Sequence, residues 1–495
     1  MSLLPFFVVL PLAAAEADAP VVLNDVRQLF LDDHVVAGME NVARTIHPAE
    51  KFEGNPVVWP EADWEGTMAI TYGSVIQDDG KYRMWYLSTP GVSYAESEDG
   101  IRWAKPDLGL FKVDGHGTNI IRRRDGDEDS PNSLGYFYEI FGVFKDPRET
   151  DPNRGYKMGF LSLQRDYSGP REDPFHHGQR RGLGVAGSPD GIHWILIDNW
   201  ATEAICDGAT HWMFDPAREK YVLYGRTKHI APEVAAAWKG DAWADKYFWG
   251  RSVARVESPD FVHWDLKDPA SAPVVMTSDV DDPPGTGIYS MLVFPYESVY
   301  IGLVQRFYNR PGDVFLDVQL AVSHDGIQFG RVGDRTPFIP CGGVGSWDRF
   351  NNSLATNPPI PVGNELRFYY GGRTYRHGPY QGEDKGESGG GVGFATIQRD
   401  RFVSLGASFD GGTITTNPLR LDGATLHLNA EADFGEIAVE ALDGSGEVLA
   451  KSTPISDDQL DIPVEWEEGA PALQGQTVKL RISLRNALLF ALWCE

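Results

Sequence analysis

The chain has 495 residues, of which 42% are hydrophobic and 12% aromatic, so it is long enough for two or three domains with sizeable cores. Its formal net charge of −27 and its pI of about 4.8 argue against nucleic acid or an anionic membrane as a partner. The cysteines are three in number and far apart (Cys206, Cys341 and Cys494), so neither a disulfide framework nor a cysteine-based metal site is indicated.

The N-terminus carries an apolar run from Ser2 to Ala15 that ends in three alanines. An apolar run followed by small residues is typical of a secretory signal peptide, and this one is too short to span a membrane. We therefore predict a signal peptide over residues 1–15 and a secreted or periplasmic protein. The alternative, a buried first strand, is disfavoured by the polar sequence that starts at Glu16. No later apolar run reaches transmembrane length, so no membrane insertion is expected.

Two strand-like runs follow, from Val22 to Val36 and from Ala43 to His47. They have no partner in the first of the repeats described next. We therefore predict that they close the ring of repeats by pairing with the last one.

One seven-residue pattern recurs from residue 97 onward, at intervals of about 65 to 91 residues. Its first copy is Ser97–Trp103, with the sequence Ser-Glu-Asp-Gly-Ile-Arg-Trp. The later copies, of which the last is degenerate, are Ser188–Trp194, Ser258–Trp264, Ser323–Phe329 and Thr396–Phe402. The Asp-Gly pair supplies a tight turn, and the aromatic residue can pack between neighbouring sheets, so we interpret the motif as structural.

Two strand-like runs precede each copy of the motif. In the first repeat they are Thr71 to Gln77 and Tyr82 to Leu87, joined by the hairpin signal Asp78-Asp79-Gly80. With the strand before the motif and one after it, they form a four-stranded unit. Five such units predict an all-β fold, a five-bladed β-propeller over residues 22–403, in which radial repetition leaves only short sheet edges.

From about Ser404 the motif gives way to short alternating strands, with a hairpin turn at Asp443–Gly446. This pattern predicts a small C-terminal β-sandwich over residues 404–495.

The connections between the second and third strands are long in three repeats: Gln164 to Arg181, Thr227 to Phe248, and Thr374 to Gly390. The middle one contains Pro232 to Trp238, the best helical stretch in the chain. In a propeller these three loops lie on one face, and long loops on a rigid scaffold usually carry the site.

These features together resemble the five-bladed propeller glycoside hydrolases, the superfamily that includes families 32 and 43. Besides the repeats and the C-terminal sandwich, which is as in family 32, the resemblance rests on short strings: Asn55–Val57, Met84–Tyr86, Ser97–Trp103 and Phe368–Gly372. It implies a secreted glycosidase that acts on a polysaccharide or oligosaccharide, with one acidic residue from each of the first three blades on the axis. It implies no cofactor, and it allows a structural cation at the centre.

The chain departs from the family 32 pattern at two points. It has no Asn-Asp-Pro-Asn string, and Lys145-Asp146-Pro147, which mimics the Arg-Asp-Pro motif of that family, falls at a hairpin on the opposite face. Asp146 is therefore not carried over as a catalytic residue.

Glycoside hydrolysis needs a proton donor and a second carboxylate that acts as nucleophile or as base. Such groups belong where the inner strands begin, and the catalytic candidates there are Glu65, Asp207 and Asp348, with Asp127, Glu128, Asp129 or Glu139 for the second blade. The alternative for each is a loop carboxylate that accepts hydrogen bonds from backbone N–H groups.

A second set of candidates would bind substrate. Arginines at the ends of the second strands of repeats two to five suit bidentate recognition of a carboxylate or sulfate, which suggests an anionic glycan. They are Arg165, Arg226, Arg306 and Arg373. The alternative is that each pairs with a neighbouring Asp or Glu. His211 on the third inner strand, and His176, His177, His229 and His377 on loops, could bind sugar hydroxyls or phosphate. Trp64, Trp347 and Trp238 could stack on sugar rings or pack in the core.

Three other functions compete with a glycoside hydrolase. A glycoside phosphorylase would use arginine and histidine to hold phosphate. Sialidase-like chemistry would fit the arginines and the repeated motif, but the sialidases resemble six-bladed propellers. A non-catalytic carbohydrate-binding propeller would bind glycans without turnover.

Overall fold

The computed structural model describes residues 19–123, 137–164, 180–203, 210–247, 250–264, 266, 271–309, 314–377 and 389–495. They are nearly all strands and turns, and they fall into two compact units. The larger unit is Ile46–Phe402, and the smaller joins Val403–Glu495 to the described part of Met1–Thr45. No helix in these ranges is long and apolar enough to cross a membrane. The predicted signal peptide over residues 1–15 lies outside them.

Four short strands open the chain: β1 (Val21–Leu23), β2 (Gln28–Leu29), β3 (Val36–Glu40) and β4 (Ala43–Ile46). Their predicted pairing with the last repeat is wrong. Strand β2 pairs with Ala491 and Leu492, and β3 pairs with Thr413–Thr416, so these strands belong to the smaller unit. The segment that pairs with the last repeat is instead β5 (Glu50–Lys51), opposite Ala395 and Thr396.

The larger unit repeats one antiparallel meander. The first repeat follows a 3₁₀ turn at Asp63–Glu65 and contains β6 (Ala69–Ile70), β7 (Val75–Asp78), β8 (Lys81–Ser88), β9 (Gly91–Ser97), the hairpin β10 (Lys112–Val113) and β11 (His116–Gly117), and β12 (Ile120–Arg123). The second contains β13 (Phe137–Lys145), a 3₁₀ turn at Pro152–Arg154, β14 (Tyr156–Gln164), β15 (Arg180–Ser188) and β16 (Ile195–Glu203). The third contains β17 (His211–Asp215), β18 (Lys220–Lys228), helices α1 (Pro232–Ala237) and α2 (Ala244–Tyr247), β19 (Arg251–Ser258) and β20 (Val274–Met276).

The last two repeats share one sheet. The fourth contains β21 (Thr286–Tyr296), β22 (Val299–Tyr308), β23 (Phe315–Ser323) and β24 (Gly330–Arg331). The fifth contains β25 (Asn351–Leu354), β26 (Ile360–Val362), β27 (Glu365–Arg373) and β28 (Gly390–Gln398). The helix predicted in the loop of the third repeat is confirmed as α1.

The recurrent motif builds a turn whose side chains hold its own backbone. In the first copy the Asp99 carboxylate accepts hydrogen bonds from the backbone N–H groups of Ile101 and Arg102, both at 2.8 Å. The turn glycine Gly100 has φ 71°, a conformation that favours glycine. The copies at Asp190, Asp260 and Asp325 repeat the pattern of backbone hydrogen bonds. The motif is therefore structural, as expected.

Side chains join each repeat to the next, which explains why the motif recurs. The Trp85 indole donates to the Gly191 carbonyl at 2.6 Å, and the Tyr224 hydroxyl donates to the Gly326 carbonyl at 2.7 Å. Further contacts between successive repeats include Tyr221 with Asp146, Tyr296 with Asp400, and Tyr369 with Gly100. The last of these links the fifth repeat to the first, so the chain of contacts closes on itself.

The smaller unit is made of two sheets. Its C-terminal strands are β29 (Val403–Ala407), β30 (Gly412–Thr416), β31 (Leu419–Leu421), β32 (Leu426–Glu431), β33 (Glu436–Leu442), β34 (Val448–Lys451), β35 (Asp458–Pro463), β36 (Thr477–Arg485) and β37 (Ala487–Cys494). One sheet contains β1, β3, β30, β31, β33, β34 and β36, and the other β2, β4, β29, β32, β35 and β37. Both contribute to an aliphatic core that includes Leu428, Ile437, Leu480 and Leu489.

Candidate active site

Two tyrosines from different repeats meet in the larger unit. Tyr72 lies in the irregular stretch between β6 and β7, and Tyr289 lies on β21 where the pairing register with β22 shifts between Ile288 and Ser290. Tyr289 is the extra residue of this β-bulge, and a bulge changes the direction in which such a side chain points. The two hydroxyl oxygens are 3.0 Å apart, and both side chains are buried.

His377, just after β27, extends this pair. Its Nε2 atom lies 3.2 Å from the Tyr289 hydroxyl oxygen, and its ring packs edge-on against Tyr289 and Phe307. Within the described part of the chain, its Nδ1 atom is buried without a hydrogen-bond partner. Burial, and then the charges of Arg251, Arg373 and Arg226, hold the pKa of this imidazole well below its usual range, so the ring is neutral near pH 7.

Three arginines surround the aromatic groups. The Arg226 guanidinium donates two hydrogen bonds to the Tyr289 carbonyl, at 3.1 and 2.9 Å, and its carbon lies 4.1 Å from the Tyr289 ring centre. Arg251 lies diagonally across the β18–β19 ladder from Arg226, on the same face, 4.8 Å from the Phe307 ring centre. Arg373 lies 5.4 Å from the Tyr72 ring centre.

These charges act in opposite directions on the two phenols. Burial by itself would raise the pKa of Tyr289, but Arg226, the hydrogen bond with Tyr72, and then Arg373 and Arg251 lower it, and the net direction is down. Burial and the neighbouring Tyr289 raise the pKa of Tyr72 well above its usual value. Burial and Arg226 lower the pKa of Arg251 to about 9.

The structure brings together three of the predicted substrate-binding residues, namely Arg226, Arg373 and His377. Sequence reasoning missed the three that complete the cluster: Tyr72, Tyr289 and Arg251. The available signal was a tyrosine near the start of two predicted inner strands, but the bulge that aims Tyr289 has no sequence signature.

Two other predicted binding residues have structural partners instead. Arg306 makes a two-pronged ion pair with Asp317, at 3.2 and 2.6 Å, which is the alternative considered for the arginines. His211 is buried, and its Nδ1 atom lies 2.8 Å from the Thr356 carbonyl oxygen, so it ties the third repeat to the fifth. Burial lowers the pKa of His211 to about 4.

Glu65 lies in the 3₁₀ turn before β6, and both oxygens of its carboxylate have hydrogen-bond partners. Its carboxylate accepts hydrogen bonds from the backbone N–H groups of Glu61 and Ala62, at 2.8 and 3.0 Å, and lies 2.9 Å from Lys105 Nζ. The Tyr86 hydroxyl donates to it at 3.2 Å. Burial would raise the pKa of Glu65, but the backbone donors and Lys105 lower it, so this group is a poor proton donor. These contacts match the alternative of a loop carboxylate that binds backbone N–H groups.

Asp348 is likewise held by a lysine. Lys51 Nζ lies 2.5 Å from its carboxylate, the Tyr370 hydroxyl donates at 2.9 Å, and Ser346 donates to the other oxygen. Its neighbour Trp347 stacks on the Tyr370 ring with 5.4 Å between centres. Trp347 and Trp64 are both half-buried. The contacts of Glu65 and Asp348 are thus separate from those of the tyrosine pair.

Other predicted site residues lie outside the described residues. They are the catalytic candidates Asp207, Asp127, Glu128 and Asp129, together with Arg165, His176 and His177, and the side chain of Glu139. Among the residues that the structure does describe, no group of three or more His, Cys, Asp or Glu side chains could hold a metal ion.

Comparison with known proteins finds a sequence match over a short part of the chain. No family model matches the chain. Two uncharacterized proteins of Mycobacterium tuberculosis, from strains CDC 1551 / Oshkosh and ATCC 25618 / H37Rv, are each 38% identical over 71 residues. The match covers 12% of this chain and 23% of each relative, so it spans about a quarter of their length.

Several solved structures are similar to the chain, and glycoside hydrolases recur among them. An N-acetylgalactosamine deacetylase from F. plautii, in complex with blood group B trisaccharide, is 14% identical with a TM-score of 0.45, over 72% of this chain and 96% of its own. A thermostable family-43 glycoside hydrolase is 13% identical with a TM-score of 0.43, over 68% and 92%.

A third structure comes from the GH130 family of mannoside phosphorylases, which contains glycoside hydrolases that target β-1,2 mannosidic linkages in Candida mannan. It is 13% identical with a TM-score of 0.42, over 72% of this chain and 95% of its own. Because these TM-scores are below 0.5, no residue's role is transferred from any of the three to this chain.

Proposed function

We propose that the protein is a glycoside hydrolase built on a five-bladed propeller, and that its substrate is a glycan with a carboxylate or sulfate group. The observation that carries this proposal is the convergence of Arg226, Arg251 and Arg373 on the buried pair Tyr72–Tyr289. The reaction class rests on the sequence resemblance to the propeller glycoside hydrolases, and the substrate class rests on the arginines.

The arginines favour an anion for two reasons. A guanidinium presents a planar fork of donors that fits a carboxylate or sulfate with two parallel hydrogen bonds. Three such groups also meet around one buried pair of tyrosines, so more than one guanidinium lies near the proposed binding position.

The test is the release of reducing sugar from a panel of neutral, uronic and sulfated glycans. We expect release from an anionic member, and we expect Arg251→Gln to raise its KM by about tenfold or more, since a hydrogen bond to a charged group contributes about 1.5–3 kcal/mol. Arg335→Gln is the matched control, because Arg335 pairs with Asp279 away from the tyrosines and should leave KM unchanged. Equal turnover of neutral glycans by wild type and Arg251→Gln would refute the anionic substrate.

A glycoside phosphorylase is the second candidate, because the three arginines and His377 would also suit an inorganic phosphate. A phosphorylase would release a sugar phosphate, and this release would require added phosphate. Glycan binding without any release would instead favour the non-catalytic propeller. Asp207, the predicted carboxylate outside the described residues, remains a proposed catalytic group, and Asp207→Asn tests it in the same assay.

A further inference from the structure

We propose that the smaller unit carries a second, non-catalytic binding site, and that its ligand is a neutral glycan chain. The site lies on the outward face of the sheet in which β3, β30, β36 and β33 are neighbours. It consists of an open depression of about 380 Å³ and of two exposed phenylalanines on the turns beside it. The proposal goes beyond the hydrolase activity, because this site would hold a glycan without cleaving it.

The floor of the depression is a row of side chains that crosses four strands. Residues that are directly opposite each other in a ladder project on the same face. Thr413 lies opposite both Glu40 and Ser483, and Ser483 lies opposite Ala438. Along their strands, Thr413, Ser483 and Ala438 alternate with residues of the aliphatic core, so the row faces outward. Because these three side chains are small, the row is low.

Charged pairs border the row on both sides. Two positions from Ser483 in one direction, Arg485 lies opposite Glu436, with 3.9 Å between the guanidinium nitrogen and the carboxylate oxygen. Two positions in the other direction, Arg481 donates to the Glu440 carboxylate at 2.6 Å. The low row between taller charged pairs forms a groove, whose acceptors and donors suit the hydroxyl groups of a sugar.

The exposed aromatic side chains are found beside this groove. Among the Phe, Tyr and Trp side chains whose exposure the structure describes, only Phe409 and Phe434 are exposed, at 67% and 79%. Their turns are joined by Asn486, whose backbone N–H donates to the Ser408 carbonyl at 3.0 Å and whose side-chain amide donates to the Phe434 carbonyl at 2.9 Å. The residue after Phe409 and the residue before Asn486 both line the depression, so the two turns adjoin it.

This combination fits a sugar ring. A pyranose has an apolar C–H face, which packs on an exposed aromatic ring, and an edge of hydroxyl groups, which bond to polar side chains. The depression is lined by three carboxylates, those of Glu40, Asp410 and Glu436, and by one guanidinium, that of Arg485. Its excess of negative charge repels a uronic or sulfated glycan, and a neutral glycan is therefore the ligand.

A protein partner fits this face less well than a glycan. The centre of a protein–protein interface is apolar and depleted in charged residues. Here the centre is the polar row between Glu436–Arg485 and Glu440–Arg481, and the two phenylalanines lie at one end of it.

The test is the migration of the full-length protein through native gels that contain a dissolved polysaccharide. One series contains neutral mannan, xylan, galactan or β-glucan, and the other contains a polyuronate or a sulfated galactan. We expect at least one neutral polysaccharide to retard the wild type. Phe409→Ala and Phe434→Ala should each raise the Kd about tenfold, and the double variant should migrate as in a plain gel. Val344→Ala is the matched control, since Val344 is an exposed apolar residue of the larger unit and should not contribute.

Three gel results would overturn the proposal: equal retardation of the wild type and the double variant, retardation by anionic polysaccharides only, and no retardation in either series. Sedimentation provides a further check. A wild-type dimer that the double variant converts to a monomer would show that this face binds a second copy of the chain, and would also overturn the proposal. Release of reducing sugar from soluble glycans should be equal in the wild type and the double variant, so this proposal and the proposed function can fail separately.

Discussion

The hydroxyl oxygens of Tyr72 and Tyr289 lie 3.0 Å apart, although the two residues are separated by 217 positions in the chain. The first and fourth repeats each supply one of them, and the pair sits among arginines from the third and fifth. A contact of this kind requires the repeats to be arranged around a common centre. It places two phenols of opposite pKa direction within one hydrogen bond.

Replacing Tyr72 by phenylalanine should raise the pKa of Tyr289. A hydrogen bond to a charged group contributes about 1.5–3 kcal/mol, and one pKa unit corresponds to about 1.4 kcal/mol, so the expected rise is about 1–2 units. An ultraviolet titration should therefore show the Tyr289 transition at higher pH in Tyr72→Phe than in wild type. An unmoved transition would show that Tyr72 does not stabilise the ionised form of Tyr289.

Two substitutions at Arg373 separate its charge from its shape. Arg373→Lys keeps the positive charge near Tyr72 but loses the planar fork, so it should raise KM for an anionic glycan about tenfold and leave the pKa of Tyr289 in place. Arg373→Gln loses both and should also raise the pKa of Tyr289, which Arg373 lowers in the wild type. The measurements are KM and an ultraviolet titration of the tyrosines for both variants. Identical titrations for the two would contradict the electrostatic role.

The pair Arg306–Asp317 should matter for stability rather than for substrate. Both side chains are largely buried, and burial raises the pKa of Asp317 despite its arginine partner. Removing one partner leaves an uncompensated buried charge, so Arg306→Leu should lower the free energy of unfolding by about 3–5 kcal/mol. The double variant Arg306→Leu/Asp317→Leu should recover most of that loss in urea unfolding. A stable Arg306→Leu protein that has lost glycan binding would restore the predicted substrate-binding role of Arg306.

Glu65→Gln should reduce stability in a pH-dependent way and leave kcat within about tenfold of wild type. The pKa of Glu65 is lowered in the folded protein, so its ionised form stabilises the fold above its unfolded pKa of about 4.3. That contribution is lost as the pH falls through the lower, folded pKa. The difference in unfolding free energy between wild type and Glu65→Gln should therefore be constant near neutrality, about 1–3 kcal/mol, and shrink in acid. A folded Glu65→Gln protein without turnover would instead support the predicted catalytic carboxylate.

The sequence alone determined the repeated scaffold. Residues such as Asp99 and Gly100 act on the backbone within a few positions, so their turn can be recognised wherever the string recurs. The pattern of strands around this turn likewise depends on residues that are close together in the sequence. The ends of the second strands also follow from that pattern, which is why Arg226 and Arg373 could be predicted at the site.

Tertiary structure decided which charged groups meet. Lys105 reaches Glu65 from 40 positions away, and Lys51 reaches Asp348 from 297, and neither pairing has a local signature. The opening strands β2 and β3 pair with the C-terminal sheets because strand pairing depends on register and burial across the whole chain, which strand-like composition does not encode. The one-residue bulge that turns Tyr289 toward Tyr72 has no local signature either, because a register shift exists only between two paired strands.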